Sequence, residues 1–435
     1  MLRTIDLRGT RPSTSELLAL VPRAGVDVDV ALEVARGLID DVRERGSEAL
    51  LEQSERFDRV RPAAIRVPAA ELAEALDSLA PAVRAAVEST IERVRAASRA
   101  QVPAPTTTVL ADGAVVEQRW QPVERVGLYV PGGKTVYPSS VIMNVVPAQA
   151  AGVRSLALAS PAQAAHGGRV HPTIAAVAAL LGVDEVYAMG GAGAIGAFAH
   201  GVPDLGLEPV QRVTGPGNVF VAAAKRLVAG VTGIDAEAGP TDILVIADAT
   251  ANPDFVAADL LSQAEHDELA ASVLVTDAPD FAAQVQERLA ARLAATTHRE
   301  RAETALTGSQ SAVVLVDDLV QATAFTNAFA PEHLEIQTAD DDDVLARIEN
   351  AGAIFLGSYS PVSLGDYAAG SNHVLPTGGT ARHAAGLSAA TFLRPQQVVR
   401  YSRAALEAVA PVVAALSADE GLPAHGAAVT ARFEG

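Results

Sequence analysis

Cysteine is absent from the 435 residues, which excludes disulfides, thiolate metal ligands and a cysteine nucleophile. Any metal this chain holds must therefore sit among histidine, carboxylate and amide groups. Aromatic residues make up only 4% of the chain, with a single tryptophan, so the core must be built from Ala, Val and Leu. Basic residues are also scarce: 33 Lys and Arg stand against 52 Asp and Glu, and the net charge is -19. So acidic a surface argues against nucleic acid and against an anionic membrane as partners. No uninterrupted apolar run reaches the roughly 20 residues that a membrane-spanning helix needs. The opening Met1-Leu2-Arg3-Thr4-Ile5-Asp6 lacks the apolar stretch of a signal peptide, and a cytoplasmic location is expected.

What is present reads as an α/β chain long enough for two or three domains. Residues 1–25 form a short polar lead-in. Val30, Leu32, Val34, Leu38 and Val42 keep a mostly helical period from Asp27 to about Arg45. Gly46-Ser47 starts a second helix, and two more are predicted over 69–79 and 81–100. After Pro103-Ala104-Pro105 the period changes, and Asp112-Gly113 between 108–111 and 114–120 predicts a hairpin with a type I′ turn. From Val126 strands alternate with helices: strands over 127–130, 156–159, 185–189, 210–214 and 243–247, separated by helices over 140–151, 172–181, 194–199 and 218–228. A second run follows, with helices over 253–266, 279–294 and 318–327 and strands over 272–275, 312–316 and 353–356. Such alternation implies right-handed crossovers and parallel sheets covered on both faces. The expected fold is therefore two Rossmann-like, incomplete parallel-sheet domains with a cleft between them, where ligands usually bind. A helical N-terminal region and a small helical C-terminal tail complete it. Residues 357–386, rich in Gly, Ser and Asn, are predicted as a long loop.

Several constellations carry chemistry. Gln263 and His266 stand three apart on a predicted helix and so share a face; alone, the pair reads as an ordinary polar helix face. Gly191-Ala192-Gly193-Ala194-Ile195-Gly196 matches the dinucleotide pattern G-x-G-x-x-G, yet the acidic companion that pattern wants at the end of the next strand is missing. Gly215-Pro216-Gly217-Asn218 is a second strand-to-helix turn, and Tyr129 with Pro131-Gly132-Gly133-Lys134 a third, in which Tyr129 would stack on a planar ring. Glu332-His333 puts a carboxylate beside an imidazole after Pro331, a pair suited to two separate proton transfers. Asp366 and His373 lie in the predicted long loop, and Glu420 and His425 near the C-terminus. Gln263, His266, Asp366 and His425 would together make a nitrogen–oxygen metal site.

The blocks VGLYVPGGKTVYPSSVIMNVVPAQAAGV (126–153), GPGN (215–218), DLLSQAEHD (259–267), APEHLEI (330–336), SLGDYAAGSNHVLPT (363–377) and EGLPAHGAAVT (420–430) closely resemble histidinol dehydrogenase, in order from about residue 25 onward. The resemblance implies oxidation of L-histidinol through its aldehyde to L-histidine, in the last steps of histidine biosynthesis, with two NAD⁺ and one bound zinc ion per subunit. It implies Gln263, His266, Asp366 and His425 as zinc ligands that also meet the substrate. His333 would be the base for the alcohol and Glu332 the residue that activates water. Thr241, His373 and Glu420 would hold the substrate, and Tyr129 and Asn218 would contact NAD⁺. A homodimer with shared active sites is implied, the tail of one subunit entering its neighbour's site. The corresponding division has an arm (1–25), a first domain (26–125 with 242–385) carrying metal and catalytic residues, a second on the NAD side (126–241), and the tail (386–435). Two positions depart from the family's usual pattern: Gly193 where glutamine is common, and Thr241 where serine is common. A relative oxidising another polar alcohol, such as a sulfonated diol, is the alternative; Glu420 and His373 suit a cationic amine and an imidazole better than a sulfonate. His166, His171, His200, His298 and His383 match no functional position and are expected to be surface or core residues.

Overall fold

The computed structural model describes residues 1–23, 28–132, 136–237 and 239–434. Two parallel sheets organise the chain. The larger has six strands in the order Arg3–Asp6, Ala312–Leu315, Ala271–Thr276, Asp242–Ala247, His333–Gln337, Ala353–Leu356. Its central strands Asp242–Ala247 and Ala271–Thr276 are buried at every residue, as near-continuous apolar runs must be when helices cover both faces. Pro253–Ala264, Pro279–Ala295 and Arg299–Thr307 seal one face through Val256, Leu260, Val285 and Leu306, and Thr14–Leu20 and Leu319–Phe329 seal the other through Leu17 and Phe325.

The smaller parallel sheet has five strands in the order Glu185–Ala188, Ser155–Ser160, Arg125–Tyr129, Arg212–Thr214, Gly233–Ile234. Helices Pro138–Ala151, Pro172–Leu180, Ala69–Asp77 and Pro81–Ala100 build the core on one side, and Val28–Arg45, Ser47–Phe57, Gly191–His200 and Val219–Val228 build it on the other. Proline at the first turn opens Pro81–Ala100, Pro138–Ala151, Pro172–Leu180, Pro253–Ala264 and Pro279–Ala295, where its missing N–H costs nothing. Among the described residues no helix is long and apolar enough to cross a membrane.

The two-sheet α/β architecture agrees with the sequence pattern, and several local expectations do not. Residues 1–25 are more than a lead-in: Arg3–Asp6 adds an edge strand beside Ala312–Leu315, and Ser13 caps helix Thr14–Leu20. Four residues are too few for a strand period to be recognised. The helices between residues 28 and 100 pack on the smaller sheet, not on the larger one with which the expected first domain groups them, because their apolar stripes meet Ile195, Val145 and Val177. Gly113 alone has positive φ in the hairpin turn, and the register shifts between Val109 and Ala111, so the turn is bulged and not type I′. The predicted helical C-terminal region begins with a strand, Leu393–Tyr401, which joins Ala114–Pro122 and Thr106–Ala111 in a three-stranded antiparallel sheet. Pro395 is tolerated because this strand lies at the sheet edge. The predicted loop 357–386 contains a short helix, Val362–Tyr367. Asp27, Gly133 and Lys134, invoked in the sequence reading, lie outside the described residues.

Candidate active site between the two sheets

The site forms where the strands of the larger sheet begin. Asp242 opens one central strand and His333 opens its neighbour, paired through His333 and Ile243. Between the strands Asp242–Ala247 and Ala271–Thr276 the chain crosses over by helix Pro253–Ala264, whose C-terminal end returns to the edge where the strands start. Gln263 sits in that last turn. His266 lies just beyond the helix, in a turn closed by its N–H to the Gln263 carbonyl (3.2 Å), so the pair does not share a continuous helical face.

Glu332 and His333 are both buried, at 6% exposure each, with His333 Nδ1 3.7 Å from Glu332 Oε2. Nδ1 also lies 3.0 Å from the Asp242 carbonyl oxygen. A carbonyl can only accept, so Nδ1 carries the hydrogen and Nε2 is the basic nitrogen of the neutral ring. Glu332 Oε2 accepts from Thr241 Oγ1 (2.6 Å) and from the Asp242 N–H (3.1 Å), while the Glu332 N–H donates to Asp242 Oδ1 (2.8 Å). Oε1 is therefore the oxygen left to a water. Burial pushes the Glu332 carboxyl up to about 7, with the Asp242 charge adding to the rise and His333 opposing it. Asp242 is itself held by the Arg23 guanidinium, which also donates to the Phe329 carbonyl and lies over the Phe329 ring, 4.0 Å from its centroid.

Thr241 Oγ1 also accepts from Gln263 Nε2 (2.7 Å), a bond that commits the amide nitrogen and leaves Oε1 as the free end of Gln263. The His266 ring stacks near Tyr137, centroids 6.0 Å apart; burial lowers its pKa while the Asp366 charge opposes that. His373 shares a hydrogen bond with Ser139 Oγ (3.1 Å), and burial lowers its pKa too, with Asp366 again raising it and His333 and His266 lowering it. Ser139 and Tyr137 belong to the start of helix Pro138–Ala151, which follows the smaller sheet's strand Arg125–Tyr129. Asn372 Nδ2 donates to the Met143 carbonyl (2.7 Å) from the same loop as His373. The amino-terminal edge of the larger sheet thus faces the carboxyl-terminal edge of the smaller one.

On that smaller edge three turns converge. Tyr129 is 4% exposed and its hydroxyl accepts from the Gly191 N–H (3.1 Å), so its ring has no open face for stacking of the kind the sequence suggested. Asn218 caps helix Val219–Val228 through Oδ1, accepting from Phe220 (3.1 Å) and Val221 (3.2 Å), and keeps Nδ2 as a donor. Gly215 has φ of +116°, and a side chain there would strike the Tyr129 carbonyl. Its N–H donates to Asp235 Oδ2 (2.8 Å) and its carbonyl accepts from Lys225, a lysine buried to 1% and paired with Asp235 at 2.6 Å. Gly193 and Gly196 lie inside helix Gly191–His200 and face Gln53 and Ile39 of the covering helices. Those two glycines serve close helix packing, which explains a G-x-G-x-x-G run without its acidic companion.

The structure therefore brings together Thr241, Gln263, His266, Glu332, His333, Asp366 and His373. Glu420 and His425 stand exposed on the tail formed by Arg403–Asp419 and Pro423–Thr430, and no hydrogen bond or ion pair joins their side chains to the site among the described residues. Nor, among those residues, do three or more His, Asp and Glu converge as a closed metal site. Asp242 and Arg23 are missing from the sequence reading. An aspartate opening the otherwise apolar run Asp242-Ile243-Leu244-Val245-Ile246-Ala247 was the available signal, since a buried charge needs a partner.

An imidazole and a carboxylate buried between two parallel α/β sheets, opposite glycine-bearing strand-to-helix turns, define an α/β protein with an acid–base site between its sheets. The comparisons narrow this class. The histidinol dehydrogenase family profile matches residues 21–433. Histidinol dehydrogenase of Leifsonia xyli is 65% identical over 433 residues, covering 100% of this chain and 99% of the relative. That of Nocardia farcinica is 60% identical over 436 residues, covering 100% and 98%. The crystal structure of histidinol dehydrogenase from Elizabethkingia anophelis superposes with a TM-score of 0.92 at 31% identity, covering 100% of this chain and 98% of that one. The chain belongs to the histidinol dehydrogenase family, and so to the oxidoreductases of histidine biosynthesis.

Proposed function

We propose that the chain oxidises L-histidinol to L-histidine through L-histidinaldehyde, using two NAD⁺ and one zinc ion per subunit, in the cytoplasm and as a homodimer. The observation that carries this reading is the Glu332–His333 pair, with its free Nε2 and free Oε1 offered as two distinct bases in one buried site. His333 takes the alcohol proton as hydride leaves the carbinol carbon for the first NAD⁺. Glu332, ionised above about pH 7, takes a proton from the water that adds to the aldehyde, and a second hydride then leaves for the second NAD⁺. Thr241 holds Glu332 and Gln263 in register through its hydroxyl, a role that serine or threonine fills equally.

Gln263, His266, Asp366 and His425 would hold the zinc ion. The donor set fits: a side-chain amide with its oxygen end free, an imidazole kept neutral by burial, and a carboxylate in its field, with no thiolate required. The fourth donor, exposed on the tail, would come from a second copy of the chain, which also brings Glu420 to the substrate amine. Bound zinc supplies Lewis-acid polarisation and orientation of the substrate. His373 would meet the substrate beside Ser139. Tyr129, through its hydroxyl at Gly191, and the Asn218 amide would contact NAD⁺ at the turns. A sulfonated diol as substrate fits less well, since Glu420 repels an anion.

The test is NADH formed per L-histidinol consumed, before and after chelation and zinc add-back. Two NADH per substrate, lost on chelation and restored by zinc, is the expected result. A zinc-loaded protein that forms no NADH from histidinol ends this reading and directs the search to other polar alcohols.

A further inference from the structure

The strand His333–Gln337 should bury apolar side chains on both faces, and on one face it does, through Leu334 and Ile336. Its other face carries His333, Glu335 and Gln337, residues that share a side by the period of two. His333 is in the site. Glu335 is 1% exposed and Gln337 is 4% exposed, and neither has been given a role.

Glu335 is the centre of a junction. Its Oε1 accepts the Val362 N–H (2.9 Å), the first N–H of helix Val362–Tyr367, which carries Asp366. Its Oε2 accepts from Gln337 Nε2 (3.2 Å), and that same amide nitrogen lies 3.5 Å from Asp259 Oδ2. The Glu335 and Asp259 carboxyls are thus brought together on one amide nitrogen, and each acts on the other electrostatically. Asp259 stands on helix Pro253–Ala264, one turn before Gln263 and on the same face. Three elements that deliver His333, Gln263 and Asp366 to the site therefore meet at one pair of carboxyls.

Two carboxylate ions so placed repel each other, because both only accept, whereas a proton on one lets it donate to the other. The surroundings favour that state. Burial raises both groups, and the negative charge of Asp259 raises Glu335 further. Arg292 of helix Pro279–Ala295, the basic group that acts on Asp259 among the described residues, is engaged with Asp254 at 3.4 Å. An unprotonated pair at the centre of the fold would be two uncompensated buried charges.

We propose that Glu335 and Asp259 share a single proton, and that this carboxyl–carboxylate hydrogen bond is the positioning device that fixes strand His333–Gln337, helix Pro253–Ala264 and helix Val362–Tyr367 relative to one another. Neither residue touches substrate in this assignment; they act through His333, Gln263 and Asp366. The inference rests on the functional reading above for the meaning of those three residues, but not for the shared proton itself.

Two variants and one spectrum test it in the full-length, zinc-loaded protein. Glu335→Gln supplies an oxygen for the Val362 N–H and an N–H donor for Asp259, giving up only the acceptor for the Gln337 amide, and should keep histidinol-oxidising kcat within about twofold. Glu335→Leu keeps the volume and removes the junction, and should lower kcat roughly tenfold or more, the scale expected when reacting groups are misplaced by a fraction of an ångström. Infrared spectra at neutral pH should contain a protonated-carboxyl carbonyl stretch that disappears in Glu335→Gln and in Asp259→Asn. Equal losses in the Gln and Leu variants, wild-type activity in both, or no such band overturns the proposal. If Glu335→Leu does not fold, the Gln variant and the spectrum still decide. If the wild-type protein oxidises no histidinol, the functional reading falls, and the infrared band still tests the pair.

Discussion

At the scale of single residues, Glu332 joins stability to chemistry. Its ordinary value of 4.5 is raised to about 7 by burial. A carboxyl whose folded value is raised contributes its full stability below the unfolded value and loses it as pH climbs through the folded one. Between about pH 4.5 and 7 the wild type should therefore lose on the order of 3 kcal/mol from this group, by linkage at about 1.4 kcal/mol per unit. Glu332→Gln should escape that loss, so urea midpoints of the two proteins should diverge between pH 5 and pH 8 in favour of the variant. Parallel midpoints would mean that the carboxyl is ionised across the whole range. The same variant should slow oxidation of histidinaldehyde far more than the first oxidation of histidinol, which single-turnover NADH formation with each substrate resolves. Equal slowing would remove Glu332 as the base for water. Glu332 and His333 were legible in the sequence because an acid beside an imidazole after Pro331 is a local pattern. Asp242 and Arg23 were not, since Arg23 lies 219 positions from Asp242 and Asp242 lies 90 from Glu332, which leaves only an aspartate at the head of an apolar strand.

At the scale of elements, periodicity carried most of the reading. Both parallel sheets follow from alternating apolar strands and amphipathic helices, and the starts of the helices between residues 28 and 100 were readable to within about one residue. Periodicity fails for short or mixed elements. Arg3–Asp6 has four residues, Val362–Tyr367 has six among glycines and serines, and His333–Gln337 hides its strand character behind the polar stripe His333, Glu335, Gln337. Nor does it identify a neighbour, which is why the N-terminal helices were grouped with the wrong sheet. Gly193 illustrates the point. In the sequence it completes a dinucleotide pattern that lacks its acidic companion; in the fold it lets helix Gly191–His200 approach Ser47–Phe57, where a Cβ would collide with the Gln53 amide and approach Leu50 within 3.3 Å. Alanine in a helix interior is worth about 1 kcal/mol over glycine, but overpacking costs about 1–3 kcal/mol, and displacing Gln53 also breaks its bond to the Leu38 carbonyl (3.1 Å). Gly193→Ala should lower stability by about 1–2 kcal/mol, and Gly193→Ala with Gln53→Ala should recover most of it. Additive losses in thermal unfolding of the double variant would show that the two positions do not compete for the same space.

At the scale of the whole molecule, the exposed tail is the part that the single chain does not explain. Seven of the implied site residues gather in the cleft, while Glu420 and His425 stand on helical ends that contact each other and leave Val412, Leu416 and Leu422 exposed. Resemblance, not geometry, made these two residues legible, because no spacing rule connects a C-terminal segment to a distant cleft. Subunit complementation tests that arrangement without a structure of the dimer. Glu332→Gln disables the cleft of its own chain and retains a sound tail; His425→Ala disables the tail and retains a sound cleft. If each site combines the cleft of one subunit with the tail of the other, a mixed dimer of the two variants holds one fully wild-type site and one doubly defective site. Random reassociation makes about half the dimers mixed, so dissociating and reassociating equal amounts should restore about a quarter of wild-type activity from two nearly inactive parents. Zinc content should be lowered in His425→Ala and full in Glu332→Gln, and reassociation should leave the mixture at the average of the two, because each sound tail completes one metal site in whichever dimer it enters. A site built from the cleft and tail of one chain predicts the opposite: every site in the mixture keeps one defect, and activity stays at the level of the parents.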